Sequence, residues 1–156
     1  MFRHMPSMGP NPVKATVLVV DDSVEIQRYL RILLELDSYR VEAASNGHEA
    51  LARLRRGCAP QLVLLDLQMP GMDGLETLRQ LREFRPQPKV IMCSAVDDPE
   101  KIAEAVALGA HAYLMKPIQH LYLSAAIERC LHEDPARRPV ERLGGRPFIL
   151  PSPSPL

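Results

Sequence analysis

Five polar residues follow or end hydrophobic, strand-like runs of this sequence, and all five suit the handling of a phosphoryl group. Asp21 and Asp22 follow the first run, Asp66 ends the third, Ser94 ends the fourth and Lys116 ends the fifth. Because the carboxyl ends of parallel strands form the ligand-binding edge of an open sheet, we expect these side chains to meet in one pocket. The spacing therefore predicts a phosphoryl-transfer site built from separate parts of the chain.

The three acidic residues predict a bound cation. Carboxylates held close together repel one another unless a proton or a cation offsets their charge. Mg²⁺ prefers oxygen ligands and commonly binds one or two carboxylates together with phosphate oxygens. We therefore predict Mg²⁺ at Asp21, Asp22 and Asp66, and we expect the ammonium group of Lys116 to neutralise further charge on a transferring phosphoryl group.

Asp66 is the predicted nucleophile of this pocket. Carboxylates can form aspartyl-phosphate intermediates, and Asp66 ends the central strand run. Ser94 would then donate a hydrogen bond to the transferred group. Each feature alone is weak, because an Asp-Asp pair is often only a turn and a lysine before proline is often solvated. Their occurrence at successive strand ends favours the functional interpretation.

The runs that position these residues alternate with helical patterns, which predicts an α/β fold with a parallel sheet. Most runs are continuously apolar, as in strands buried on both faces. Between them, apolar residues recur at three- and four-residue spacing, as in helices with one buried stripe. The predicted strands are residues 15–20, 40–45, 61–66, 89–94 and 111–116.

Length and composition predict one domain between two tails. Residues 15–134 have the size of a single hydrophobic core. Residues 1–14 are expected to be a flexible tail, and residues 135–156 a proline-rich, basic and disordered tail. Residues 15–134 carry 13 basic and 18 acidic residues although the whole chain has no net charge. This acidic surface argues against direct binding of nucleic acid.

The sequence also predicts a cytoplasmic protein that does not enter a membrane. No apolar stretch approaches the ~20 residues that span a bilayer. The first residues lack the apolar stretch of a secretory signal. Three scattered cysteines fit a reduced compartment and show no close pairs of the kind found in zinc sites.

The motifs resemble those of the receiver domain of two-component response regulators, in order and in spacing, over about residues 15–133. The matching stretches are VLVVDDS, LVLLDLQMPGMDG, VIMCSA and AYLMKP. The resemblance implies a single doubly wound, flavodoxin-like sheet of five parallel strands in order 2-1-3-4-5 with five helices. It also implies transfer of a phosphoryl group to Asp66 from a histidine kinase or a phosphotransfer protein.

The resemblance assigns a role to each matching residue. For Mg²⁺ it implies direct ligation by Asp22 and Asp66, a contact through water from Asp21 and a backbone-carbonyl ligand from Gln68. Lys116 would pair with the phosphoryl group.

The same resemblance implies a switch. Tyr113 would swing inward as Ser94 moves toward the phosphoryl group, and Pro117 would follow a cis peptide bond. As 22 residues follow residue 134, we expect a signalling switch without a separate effector domain. Apart from its own phosphorylation and dephosphorylation, we expect no enzymatic activity. Its output would be altered binding to a downstream protein or to a second copy of the chain.

The predicted output surface lies on the fourth helix, the fifth strand and the fifth helix. It comprises Ile102, Tyr113, Ile118, Tyr122 and Arg129. Helical spacing places Ile118, Tyr122 and Arg129 on a stripe beside the one that faces the sheet. The alternative is that Ile118 and Tyr122 pack on neighbouring loops.

Three other functions stay open at this stage. The chain could be the receiver part of a longer regulator. It could be an Mg²⁺-dependent phosphatase of the haloacid dehalogenase type, although that class has Asp-x-Asp where Asp21 and Asp22 are adjacent. A degenerate receiver that serves only as an interaction module is disfavoured, because the acceptor, metal and lysine positions are all filled.

Overall fold

The computed structural model describes residues 12–95 and 97–132, and the backbone of residues 149–150. In these ranges strands and helices alternate along the chain. The strands are β1 (Thr16–Val20), β2 (Arg40–Ala44), β3 (Leu62–Asp66), β4 (Lys89–Ser94), β5 (Ala112–Met115) and β6 (Ile149–Leu150). The helices are α1 (Val24–Leu36), α2 (Gly47–Arg55), α3 (Gly74–Leu81), α4 (Pro99–Ala107) and α5 (His120–His132).

The strands form one parallel sheet in the order β2-β1-β3-β4-β5-β6. The predicted five strands, their order 2-1-3-4-5 and the five helices are confirmed. Because every described strand runs in the same direction, the carboxyl ends of β1, β3, β4 and β5 lie along one edge of the sheet. This edge carries the residues expected to do chemistry.

The strand β6 was not predicted. It lies within residues 135–156, for which the sequence predicted only a disordered tail, and it pairs with β5 so that Ile149 lies opposite Tyr113. The prediction rested on the overall composition of the tail and missed a short apolar run within it. The outer edge of β5 offers backbone groups with which such a run can pair. The other residues of both predicted tails, except residues 12–14, lie outside the described residues.

The core consists of one apolar layer on each face of the sheet. Val17 and Val19 of β1 pack with α1 and α5, whereas Leu18 and Val20 pack with α2, α3 and α4. Successive residues of a strand point to opposite faces, so a strand covered on both faces is apolar at every position. This arrangement explains the continuous apolar runs of the sequence.

Side-chain caps begin the helices that flank the functional edge. Ser23 Oγ accepts a hydrogen bond from the backbone N–H of Ile26 at 3.3 Å and starts α1 directly after the acidic pair. Asp73 Oδ1 accepts one from the N–H of Glu76 at 2.8 Å and starts α3. Such caps satisfy N–H groups that have no partner within the helix. In the part of the chain that the structure describes, no helix is long and apolar enough to cross a bilayer.

Candidate functional site

Three carboxylates meet at the carboxyl edge of the sheet, where the sequence places them. Single oxygen atoms of Asp21, Asp22 and Asp66 all lie within 4.8 Å of one another. Asp21 and Asp66 are buried, at 2% and 6% exposure, whereas Asp22 is exposed. The cluster therefore combines two desolvated acids with one that faces solvent, and its hard oxygen donors suit Mg²⁺.

The loop after β1 is fixed by hydrogen bonds to its own backbone and to β2. Asp21 Oδ1 accepts from the N–H of Ser23 at 2.9 Å, and the N–H of Asp21 donates to the carbonyl of Ala44 at 3.1 Å. Gln27 Nε2 donates to the carbonyl of Asp21 at 2.6 Å. Gln27 was not singled out in the sequence, because a glutamine in the first turns of a helix looks like an ordinary surface residue.

Lys116 bridges the two buried acids. Its Nζ lies 2.8 Å from Asp21 Oδ2 and 3.4 Å from Asp66 Oδ2. The backbone of Lys116 is fixed to β4, because its N–H donates to the carbonyl of Ser94 at 2.9 Å. The peptide bond between Lys116 and Pro117 is cis, as the resemblance implied. Burial lowers the pKa of Lys116. The hydrogen bond to Asp21 and the negative charges of Asp66 and Asp21 raise this pKa by more than burial lowers it. The net pKa lies above the usual value, and the ammonium group stays charged.

Asp66 is held from the other side by the loop after β3. The backbone N–H of Gln68 donates to Asp66 Oδ1 at 3.1 Å, so Gln68 lies at the site and its carbonyl remains a candidate ligand. Burial raises the pKa of Asp66 above its usual value, against the lowering effects of Lys116 and of this hydrogen bond. Burial therefore makes this carboxylate less stable than an exposed one.

Gly74 lets α3 begin directly against the end of β3. A Cβ atom at this position would lie 2.3 Å from the carbonyl oxygen of Asp66 and 2.7 Å from the Cα atom of Leu67. The structure shows a close approach of two backbones that only glycine permits. Any side chain at position 74 would displace the backbone that carries Asp66.

Ser94 and Tyr113 form a buried pair beside the acid cluster. Ser94 ends β4, Tyr113 lies in β5, and their exposed fractions are 0% and 1%. The two hydroxyl groups share a hydrogen bond, and burial raises the pKa of the phenol above its usual value. Tyr113 thus points inward in this structure, beside Ser94.

The predicted output residues are not all at the surface. Ile102 and Ile118 are buried at 7% and 6% exposure, Tyr122 is partly exposed and Arg129 is exposed. Ile118 belongs to the layer that contains α1, and its carbonyl accepts a hydrogen bond from the hydroxyl of Tyr29 at 2.6 Å. Ile118 therefore matches the packing alternative.

The sides of α5 can be assigned from its contacts. Ser124 Oγ and His120 Nε2 bond to Asp37 at the end of α1, and Glu128 accepts from the hydroxyl of Tyr39. At 100° per residue, these three positions of α5 form the side that faces α1. Tyr122 and Arg129 lie on the opposite side of the helix, toward the β5 edge of the sheet.

An apolar groove beside the site was missed in the sequence. It has a volume of about 400 Å³ and runs between α1 and the loop after β5, with Ile26, Tyr29 and Ile118 among its lining residues. Lys116 also lines the groove, so the groove reaches the cluster of Asp21, Asp22 and Asp66. Its residues come from distant parts of the chain, and no local pattern signals their contact.

Comparison with known proteins identifies the family of this arrangement. The family model described as the response regulator receiver domain matches residues 17–128. A chemotaxis protein CheY from Halobacterium salinarum is 36% identical over 115 residues, which cover 74% of this chain and 95% of that protein. The positive alginate biosynthesis regulatory protein of Pseudomonas aeruginosa is 42% identical over 116 residues, but the match spans 72% of this chain and only 46% of that protein.

Solved structures give the same result. A CheY-like receiver domain protein from Methanospirillum hungatei superposes with a TM-score of 0.70 at 31% identity, covering 76% of this chain and 93% of that one. A chain of the CheX-CheY-BeF₃-Mg²⁺ complex from Borrelia burgdorferi matches with a TM-score of 0.72 at 26% identity, covering 78% of this chain and 92% of that one. The chain therefore belongs to the response regulator receiver domain family of two-component systems.

Proposed function

We propose that this protein is a cytoplasmic switch that accepts a phosphoryl group on Asp66 and signals through altered protein binding. The donor would be the phosphohistidine of a histidine kinase or of a phosphotransfer protein. The observation that carries the proposal is the position of Asp66, a buried carboxylate with Lys116 at 3.4 Å and two further acids beside it. Apart from phosphorylation and dephosphorylation of Asp66, we propose no enzymatic activity.

The chemistry assigns one role to each side chain. An oxygen of Asp66 attacks the phosphorus atom, and the bond between phosphorus and the donor's histidine nitrogen breaks. Lys116, already between Asp21 and Asp66, places its positive charge beside the oxygens of the incoming group. The hydroxyl of Ser94 would donate a hydrogen bond to the product.

The acid cluster fits Mg²⁺. Asp22, Asp66 and the carbonyl of Gln68 are the proposed direct ligands, and Asp21 would bind through water. When bound, the ion neutralises charge on the phosphoryl oxygens and helps to align the donor. Asp22, the exposed member of the cluster, leaves this side of the pocket open to solvent and to a donor.

The buried pair of hydroxyl groups provides the proposed switch. A hydrogen bond from Ser94 to the phosphoryl group competes with the one that it shares with Tyr113, so phosphorylation would change the packing of β5 against α4. Tyr122 and Arg129 remain the accessible members of the proposed output surface. A downstream protein or a second copy of the chain would bind there.

The proposal is tested by the stoichiometry of labelling with acetyl phosphate and Mg²⁺. A switch holds at most one phosphoryl group for each chain and loses it slowly, so labelled protein accumulates. Rapid release of inorganic phosphate without accumulation of labelled protein would instead indicate a phosphatase, and neither labelling nor release would indicate a degenerate receiver. The experiment does not depend on whether the chain acts alone or as the receiver part of a longer regulator; the partial match to the Pseudomonas protein leaves that second arrangement as an alternative.

A further inference from the structure

The outer edge of β5 carries a strand from a distant part of the same chain. On its inner side β5 pairs with β4, where Met92 lies opposite Tyr113. On its outer side Ile149 lies opposite Tyr113 and Leu150 lies opposite Leu114, again in parallel register. β6 is therefore the outermost described strand on this side of the sheet.

The backbone groups available at this edge follow from the alternation of the strand. The N–H of Lys116 donates to the carbonyl of Ser94 at 2.9 Å, so Lys116, directly after β5, faces the β4 side. Successive residues of a strand direct their backbone groups to opposite sides, and the amides of Tyr113 and Met115 therefore point to the outer edge. An edge with such groups is a template for strand addition.

The segment that contains β6 differs from the rest of its tail. Residues 135–156 contain six prolines and four arginines, and Phe148–Leu150 is their only run of three consecutive apolar residues. Pro147 and Pro151 bound this run. Because proline has no backbone N–H, it cannot extend a strand ladder, and proline beside an edge strand discourages the addition of further chains. The sequence thus suits a short strand that docks and ends the sheet.

The chain is long enough for this strand to reach its own β5. Sixteen residues separate the end of α5 from β6. Extended, they could span about 50 Å, whereas α5 is only about 20 Å long. A tethered segment of this kind competes at an effective concentration that is often in the millimolar range. A strand from a separate molecule would have to overcome that advantage.

The docking position lies beside both the phosphoryl-transfer site and the proposed output surface. β5 carries Tyr113, which shares a hydrogen bond with Ser94, and Lys116 directly follows this strand. Tyr122 and Arg129 lie on the side of α5 that faces away from α1 and toward the same edge. A partner that reaches this edge would therefore meet β6 first.

We propose that the outer edge of β5 is a strand-docking site that is filled by the chain's own segment around Ile149–Leu150. A partner that uses this edge must displace the segment, which acts as a built-in competitor. This consequence for signalling rests on the proposed function, but the docking itself does not. The partner chemistry that fits the edge is an extended apolar segment of about three residues.

Amide hydrogen exchange of the full chain tests the docking. In the parent protein we expect slow exchange for Tyr113, whose amide faces β6, and for Leu114, whose amide faces β4. Leu150→Pro removes the backbone N–H of β6 that faces β5 in this register, and we expect the Tyr113 amide to exchange at least about tenfold faster. Leu150→Val is the matched control, since it keeps both the N–H and the preference for a strand. The Leu114 amide should stay protected in all three proteins.

Equal protection of Tyr113 in the parent and in Leu150→Pro would overturn the proposal. So would protection that is lost on dilution together with a change from dimer to monomer, because the occupant would then be the segment of a second copy. Failure of Asp66 to accept a phosphoryl group would remove the proposed function and leave this result unchanged. The two proposals can therefore fail separately.

A peptide supplied in trans tests the competition. The probe is a fluorescent peptide of residues 145–153, GRPFILPSP. We expect Leu150→Pro to bind it at least about tenfold more tightly than the parent and Leu150→Val do, because the tethered segment no longer blocks the edge. Equal affinity for all three proteins would show that the edge is not occupied by the tail and would overturn the proposal.

Discussion

The acid pocket and the apolar layers beneath it are built from the same strands, but burial has opposite effects on their residues. Within β3, Leu64 is buried among aliphatic neighbours and Asp66, two residues later, is buried beside another carboxylate. The first kind of burial stabilises the fold, because it removes apolar surface from water. The second disfavours the charged form of the acid and raises its pKa. The difference shows that the middle of the sheet stabilises the fold, whereas its carboxyl edge holds a buried acid whose charged form is disfavoured.

The largest expected effect is on the apolar side of this comparison. Leu64→Ala should lower the free energy of unfolding by about 2–5 kcal/mol, because it leaves a cavity in a fully packed layer. Urea denaturation of the parent and the variant measures the difference. A loss below about 1 kcal/mol would mean that the layer is less tightly packed than the structure indicates.

On the pocket side, Mg²⁺ should stabilise the protein by relieving the repulsion among Asp21, Asp22 and Asp66. Binding to the native state alone at ~100 times the dissociation constant contributes about 2.7 kcal/mol. Thermal melts with and without Mg²⁺ measure this effect, and the chain has no tryptophan for a fluorescence assay. Asp22→Ala should lose most of the stabilisation. An equal Mg²⁺ effect on the parent and on Asp22→Ala would count against the metal site.

Asp66→Asn should stabilise the protein in the absence of Mg²⁺, by about 1 kcal/mol at neutral pH. The folded state raises the pKa of Asp66, so the carboxyl group favours folding when it is protonated at low pH. That contribution is lost as the pH rises through the raised pKa. The stability of the parent relative to Asp66→Asn should therefore fall as the pH increases, as urea denaturation at several pH values would measure. A parent that gains stability relative to the variant over this range would contradict the electrostatic account.

Lys116→Ala should separate phosphorylation from signalling. The side chain neutralises Asp21 and Asp66 and is fixed through its backbone to Ser94, so its loss should leave slow labelling of Asp66 but weaken the coupling to Tyr113. The measurement compares labelling with phosphorylation-dependent binding of a partner or of a second copy. Normal binding by the labelled variant would refute the coupling role.

The smallest effect on stability is expected at the accessible side of α5. Arg129→Glu should change the free energy of unfolding by less than about 0.5 kcal/mol, because Arg129 is exposed. It should nevertheless weaken phosphorylation-dependent binding, as should Tyr122→Ala, while labelling of Asp66 continues. If both variants bind normally, the output surface lies elsewhere, and the exposed residues of α1 are the next to test.

The same comparison explains what could be predicted from the sequence. Asp21, Asp66, Ser94 and Lys116 follow or end strands, and parallel strands bring such positions together whatever the details of packing. The two alternatives for Ile118 could not be separated from the sequence, because Ile118 precedes α5 and helical spacing does not define its side.

Other features depend on contacts between distant parts of the chain. Gly74 approaches the backbone of Asp66, and Gln27 donates a hydrogen bond to the carbonyl of Asp21. No local sequence pattern predicts either contact. The pairing of β6 with β5 also joins separate segments, and a two-residue strand is too short for periodicity to reveal.

The identity of the phosphoryl acceptor tests the central claim most directly. After incubation with acetyl phosphate and Mg²⁺, intact-protein mass spectrometry should show one added phosphoryl group on the parent and none on Asp66→Asn. The matched control is Asp73→Asn, which removes one negative charge nearby and keeps a residue that caps α3 equally well; it should be labelled like the parent. Labelling of Asp66→Asn at a rate comparable to that of the parent would contradict the account.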